Sequence, residues 1–180
     1  MEHLFTTPVK IVKLNYEEIN PIIGRAQSLK FKNNFNENLP KDESNKIEKI
    51  FNNEAESYMK ELTGKQIDLK LKQSWTTATL KYQFQTPHEH SGNTVIGVYY
   101  VHTNEKSGDI LLHDPRGANS FIPSFEDGLS GRSYHRITPK VGDLLLFPAY
   151  IVHSVEPNLS DETRISLAMN FVYKDFDQFR

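Results

Sequence analysis

From residue 66 onward the apolar residues of this chain recur at every second position, and that change of period limits the fold more than any other feature. The runs are "QIDLKLKQSW", "ATLKYQF", "TVIGVYYV", "GDILLHD", "DLLLFPAYIVHSV" and "TRISLAMNFVY". They are rich in β-branched and aromatic residues and are separated by Gly, Pro, Asn and Asp, the pattern of short strands joined by turns. Six or more such strands predict a double-sheet jelly roll or barrel.

Before residue 66 the period is helical. In "SNKIEKIFNNEAESYMKELTG", Ile47, Ile50, Phe51, Ala55, Tyr58, Met59 and Leu62 fall on one face, with Ser44 placed to cap and Gly64 to stop the helix. So ordinary an apolar stripe is a core-facing surface. Residues 18–30 predict a shorter helix carrying Ile19, Ile22, Ile23 and Leu29, "TTPVKIVKLN" an edge strand, and "FKNNFNENLPKDES" a polar loop. The expected architecture is mainly β with N-terminal helices. One domain is expected over 1–180, with residues 1–65 as a helical cover and 66–173 as the β core.

A net charge of -2 offers no basic stripe for nucleic acid, and the absence of cysteine excludes disulfides and thiolate metal sites. No run approaches the ~20 apolar residues of a membrane span, and the start "MEHLFTTPVKIVKLN" has no apolar signal core. The expectation is a soluble cytoplasmic protein (host cytoplasm, for a phage protein) acting on a small molecule or a side chain. A homodimer is compatible with this.

Histidines occur at 3, 88, 90, 102, 113, 135 and 153, and spacing singles out one set. On a strand, His88 and His90 of "TPHEH" point to one face and Glu89 to the other, so the two imidazoles can share a metal. A third ligand must come from elsewhere, and "GDLLLFPAYIVHSVEPN" offers His153. Imidazoles suit iron, zinc, copper or nickel without choosing among them. In "TRISLAMNF", Arg164 and Ser166 share a face, and a hairpin closing near Asn158 and Leu159 would set Arg164 opposite His153. An arginine among Ile165, Leu167 and Met169 needs an anion. Its planar fork fits a carboxylate, either of a ligand or of an in-chain salt bridge.

Together these residues resemble the Fe(II)/2-oxoglutarate-dependent oxygenases, and within them the 2OG-Fe(II) oxygenase group marked by H-x-H, GVYY, DPR and a late FP…H…R-x-S block. Here the pattern stands at Leu4 to Pro8, Trp75, His88 and His90, Gly97 to Tyr100, Asp114 to Arg116, and Gly142 through Ser166. The resemblance spans nearly the whole chain and is most specific in the late block. It implies a double-stranded β-helix (a jelly roll, cupin-like) with Fe(II), 2-oxoglutarate as co-substrate and O2. The activity it implies is a dioxygenase, a hydroxylase coupling 2-oxoglutarate decarboxylation to oxidation of a substrate. By position, His88 and His153 would be metal ligands, Arg164 and Ser166 would bind the distal carboxylate of 2-oxoglutarate, and Tyr100 would reach the same carboxylate. No catalytic side chain is implied beyond the metal centre.

His90 departs from the superfamily's usual pattern, which is His-x-Asp or His-x-Glu. The reading is therefore a set of three histidines, His88, His90 and His153, which leaves the metal more positive toward an anionic co-substrate. Glu89, rotated inward by a bulge, or Asp114 of "HDPR" would be the carboxylate alternatives. Residues 117–138 look like a loop over the mouth. Two other readings stand beside the oxygenase. One is a cupin-type metalloprotein without 2-oxoglutarate, in which Tyr150 and Thr94 replace an expected glycine and glutamate and Arg164 has no role. The other is a non-catalytic jelly-roll module.

Overall fold

The computed structural model describes residues 6–28, 40–115 and 134–175. Its elements run β1 (Lys10–Lys13), α1 (Tyr16–Ser28), α2 (Lys41–Thr63), β2 (Leu69–Thr79), β3 (Gln85–His88), β4 (Val95–His102), β5 (Ile110–His113), β6 (Tyr134–Ile137), β7 (Asp143–Pro148), β8 (His153–Val155) and β9 (Arg164–Tyr173). A five-stranded sheet in the order β1-β7-β4-β9-β2 faces a four-stranded sheet in the order β3-β8-β5-β6. This is the double-sheet jelly roll that the period-two runs predict.

Strand alternation sorts the apolar residues into two cores. Val95 and Tyr99 of β4, Leu144 and Leu146 of β7, and Leu167, Met169 and Phe171 of β9 pack against Ile19, Ile22 and Ile23 of α1 and Ile47, Phe51, Ala55, Tyr58 and Met59 of α2. The residues between them, Ile96, Tyr100, Leu145 and Phe147, meet Ile110, Leu112 and Ile137 of the smaller sheet. The large sheet is thus buried on both faces, which explains the unbroken burial of Leu144 to Phe147. Gly97 sits where an added Cβ would meet Phe171, Met169 and Leu146 at 3.1–3.4 Å, so the strand leaves that space to longer neighbours.

Several local expectations change. The long helix starts at Lys41, ahead of Ser44; its N-cap Pro40 makes no side-chain cap, and Ser44 is buried within the helix. Gly64 ends it in the left-handed conformation, φ 70°, as expected. The runs "QIDLKLKQSW" and "ATLKYQF" join as one strand up to Thr79, whereas "DLLLFPAYIVHSV" breaks at 149–152 into β7 and β8, in different sheets. Leu29, the segment 31–39, His3, Arg116 and most of the proposed 117–138 loop lie outside the described residues, although Tyr134–Ile137 at its end form β6. No helix among the described residues is long and apolar enough to cross a membrane.

Candidate metal centre and anion pocket

The two sheets enclose a cavity of about 110 Å³ whose lining includes His88, His90, His153, Trp75, Thr77, Tyr100, Arg164 and Ser166. His153 enters it from β8, buried at 4% exposure, with its ring edge-on to Phe147 at 5.0 Å. His88 is its register partner on the short, exposed strand β3. β3 ends at His88, so His90 does not arrive by strand alternation. It comes in from the following turn, tied by His90 N–H to Ala149 O (3.3 Å) and by Asn93 Nδ2 donating to His90 O (3.0 Å). The three rings still converge, with centroids 4.3 Å (His88–His153), 5.3 Å (His88–His90) and 5.2 Å (His90–His153) apart.

One nitrogen from each of these rings lies within 4.8 Å of the others. A metal–nitrogen bond of about 2.0–2.1 Å holds ligand nitrogens roughly 3–3.5 Å apart, so small ring rotations suffice to close the set on an ion. Among the described residues this is the group that could hold a metal. Glu89 is exposed and accepts a hydrogen bond from the Ser91 hydroxyl, and neither it nor Asp114 belongs to the cluster. His113 bonds Ser154 Oγ at 2.9 Å, His102 pairs with Glu162 at 2.8 Å, and His135 is exposed on β6.

Burial lowers the His153 pKa to about 4, helped by its histidine neighbours and opposed by its bond to Ile151 O. Burial and then His88 push His90 down as well. Both rings are therefore held neutral, the form in which imidazole donates to a metal.

Arg164 lies on the opposite sheet from His153, because β9 pairs with β4 and β2 while β8 pairs with β3 and β5. The hairpin expected between them does not form; their side chains line one cavity from opposite sheets instead. At 3% exposure the guanidinium donates to Ser107 O (2.7 Å), Gly108 O (3.4 Å) and Thr79 Oγ1 (3.2 Å), all neutral acceptors. Gly108 permits this approach: it has φ +85°, and a Cβ there would meet Glu156 O at 2.4 Å. No carboxylate among the described residues is in ion-pair range of Arg164. Burial lowers its pKa, and Tyr100 is the acidic group that opposes the shift. Burial raises the Tyr100 pKa, against the pull of Arg164. Tyr100 and Ser166 are register partners on β4 and β9, so hydroxyls and guanidinium converge at one end of the cavity.

Three residues of this site escape the strand pattern. A bulge between Leu71 and Gln73 exchanges the faces of β2, so Trp75 and Thr77 turn into the cavity opposite Ala168 and Ser166. Nothing in the alternation announces that extra residue. Asn158 reads as a turn residue after Pro157 but is fully buried. It donates through Nδ2 to Thr79 O (2.9 Å) and Glu162 O (2.8 Å) and accepts from Ser160 N–H (2.9 Å), holding the loop behind Thr79 and Arg164. Asn158→Ala leaves these groups unpaired and is expected to cost roughly 2–4 kcal/mol. Thermal unfolding followed by circular dichroism should show Tm lower by about 5–15 °C.

Against known proteins, the fold has clear likenesses. HygX from Streptomyces hygroscopicus, solved with nickel and 2-oxoglutarate bound, is similar at TM-score 0.67 and 12% identity over 95% of this chain and 85% of that one. A Pseudomonas putida prolyl-4-hydroxylase is similar at 0.60 and 13% identity over 95% and 88%. A Burkholderia pseudomallei oxidoreductase of the 2OG-Fe(II) oxygenase family gives 0.57 and 16% identity; the chain spans 57% of its length, and 75% of the chain is covered. These likenesses show the shared double-stranded β-helix fold. No curated protein sequence matches significantly. The family model described as "Putative 2OG-Fe(II) oxygenase" matches residues 73–170, more than half of the chain and the stretch that carries the histidines, Tyr100, Arg164 and Ser166. The chain belongs to that family of enzymes, which use Fe(II), 2-oxoglutarate and O2.

Proposed function

We propose that the protein, read as a single domain over 1–180, is a hydroxylase acting on a small molecule or an accessible side group. In this reading His88, His90 and His153 hold Fe(II), and Arg164 with Ser166 and Tyr100 takes the distal carboxylate of 2-oxoglutarate. The observation that carries it is the buried guanidinium, whose partners among the described residues are all neutral. An uncompensated charge in that position costs several kcal/mol, and the chain gains from it only when an anion arrives. A cupin without 2-oxoglutarate gives Arg164 no such anion.

The donor set suits the metal. Three neutral imidazoles leave coordination positions open, and they bring no negative charge to compete with an anionic co-substrate. When bound there, iron with 2-oxoglutarate and O2 would supply the oxidant for a C–H bond, with 2-oxoglutarate giving up carbon dioxide to leave succinate. The protein orients and excludes. Arg164 fixes the far end of the co-substrate, Tyr100 and Ser166 offer hydroxyl donors to the same carboxylate, and Ile96, Val98 and Ile110 line the cavity with apolar surface that keeps water out.

Anaerobic titration with Fe(II) and 2-oxoglutarate tests the reading. A weak visible metal-to-ligand charge-transfer band that needs both components is expected. Metal binding that is indifferent to 2-oxoglutarate would favour the cupin reading, and no metal binding at all would leave a structural module.

A further inference from the structure

His90 stands where the wider superfamily usually keeps a carboxylate, and an imidazole brings a demand that a carboxylate does not. A carboxylate offers lone pairs in any orientation. A neutral imidazole offers one, and only if the proton sits on the other nitrogen. Each ligand histidine therefore needs an acceptor behind it. His88 Nδ1 has Thr86 O at 2.8 Å and His153 Nδ1 has Ile151 O at 3.1 Å, backbone carbonyls two residues upstream in both cases. Both rings are thereby committed to present Nε2. Among the described residues, no backbone carbonyl serves His90 in this way.

Asn170 lies on the strand to which the His90 turn is tied: Thr94 N–H bonds Phe171 O, Ala149 N–H bonds Thr94 O, and His90 N–H bonds Ala149 O. It follows Arg164, Ser166 and Ala168 on the cavity face of β9, in register with Gln73 of β2 and Ile96 of β4. It is 5% exposed, and its Oδ1 is buried with no formed hydrogen bond. A buried amide oxygen left in that state costs on the order of a hydrogen bond, so its retention calls for a partner. Trp75, which stacks on the His90 ring, stands two residues along β2 from Gln73, the register partner of Asn170, so the amide and the ring share one end of the cavity. The ring has little freedom to turn elsewhere, since Trp75 stacks on it at 5.6 Å and 19° and His153 at 5.2 Å and 12°.

We propose that Asn170 is the positioning residue of the third ligand: its Oδ1 accepts the ring N–H of His90, fixing one tautomer and leaving the other ring nitrogen's lone pair for the metal. The assignment rests on the three-histidine reading above. Trp75 holds the ring plane, and Asn170 holds the proton.

The full-length chain allows a test that needs no turnover. In the metal-free protein near pH 7.5, the ring 15N shifts of His90 should report a single tautomer, which Asn170→Leu converts to a mixture and Asn170→Asp restores. Trp75, the only tryptophan, gives a fluorescence readout of Ni(II) titration. Asn170→Leu should raise the Kd for Ni(II) about 10- to 100-fold, and Asn170→Asp should recover most of that loss. A tautomer mixture in the unaltered protein overturns the proposal even if the leucine variant does not fold. So does a leucine variant that keeps both the single tautomer and the original Kd. Full Ni(II) affinity in His90→Ala would instead sink the three-histidine reading itself.

Discussion

Replacing Arg164 by alanine is expected to abolish measurable binding of 2-oxoglutarate at working concentrations while leaving the metal affinity nearly unchanged. Removing one partner of a buried charge pair costs about 2–5 kcal/mol, a Kd higher by roughly 30- to several-thousand-fold. Anaerobic titration of the Fe(II)-loaded protein, read from the charge-transfer band, checks this. A variant that binds 2-oxoglutarate with the original Kd refutes the assignment of Arg164. Lysine should rescue poorly, because a point charge cannot reproduce the planar fork that Ser107 O, Gly108 O and Thr79 Oγ1 already hold in place. The same burial predicts a much smaller effect on the ligand-free fold. Arg164→Met removes a buried charge that has no carboxylate partner among the described residues. It also leaves Ser107 O, Gly108 O and Thr79 Oγ1 without this donor, so its Tm should stay within a few degrees of that of the parent protein.

The second large effect is at His153. Its ring makes one formed hydrogen bond, to Ile151 O, and packs on Phe147, so His153→Ala should remain folded. It should nevertheless bind Ni(II) or Fe(II) more than about 100-fold more weakly, since even residues behind the ligands are worth 10- to 100-fold. Quenching of Trp75 fluorescence on metal addition measures it. Glu89→Gln is the control: Glu89 is exposed and outside the cluster, so the titration curve should not move. Unchanged affinity in His153→Ala, or lost affinity in Glu89→Gln, would mean that the metal is held elsewhere.

The legible parts of this site and the hidden ones differ in physical kind. Arg164 and Ser166 share a face because they are two apart on one strand, and strand alternation needs no knowledge of the rest of the chain. The helical stripe from Ile47 to Met59 was equally readable, because helix geometry is local. His88 and His90 do converge, but for a different reason from alternation: β3 stops at His88, and a turn carries His90 inward. The expected hairpin between His153 and Arg164 failed because their strands joined different sheets. Trp75 enters the cavity through a bulge, and Asn158 became a buried tie although its residue type announced a turn.

The sequence by itself determined the change from helical to strand period near residue 66, the double-sheet jelly roll, and the common faces within single strands. It also carried the histidines and the arginine that mark the family. Only the tertiary structure decided which sheet each strand entered, the bulge that turned Trp75 inward, the neutral acceptors that hold Arg164 among the described residues, and the burial of Asn170. Alternation fixes a side chain relative to its own strand and nothing further. Sheet membership, bulges and counter-charges depend on pairings such as Thr79 with Arg164 and His88 with His153, residues far apart along the chain that meet only once it has folded.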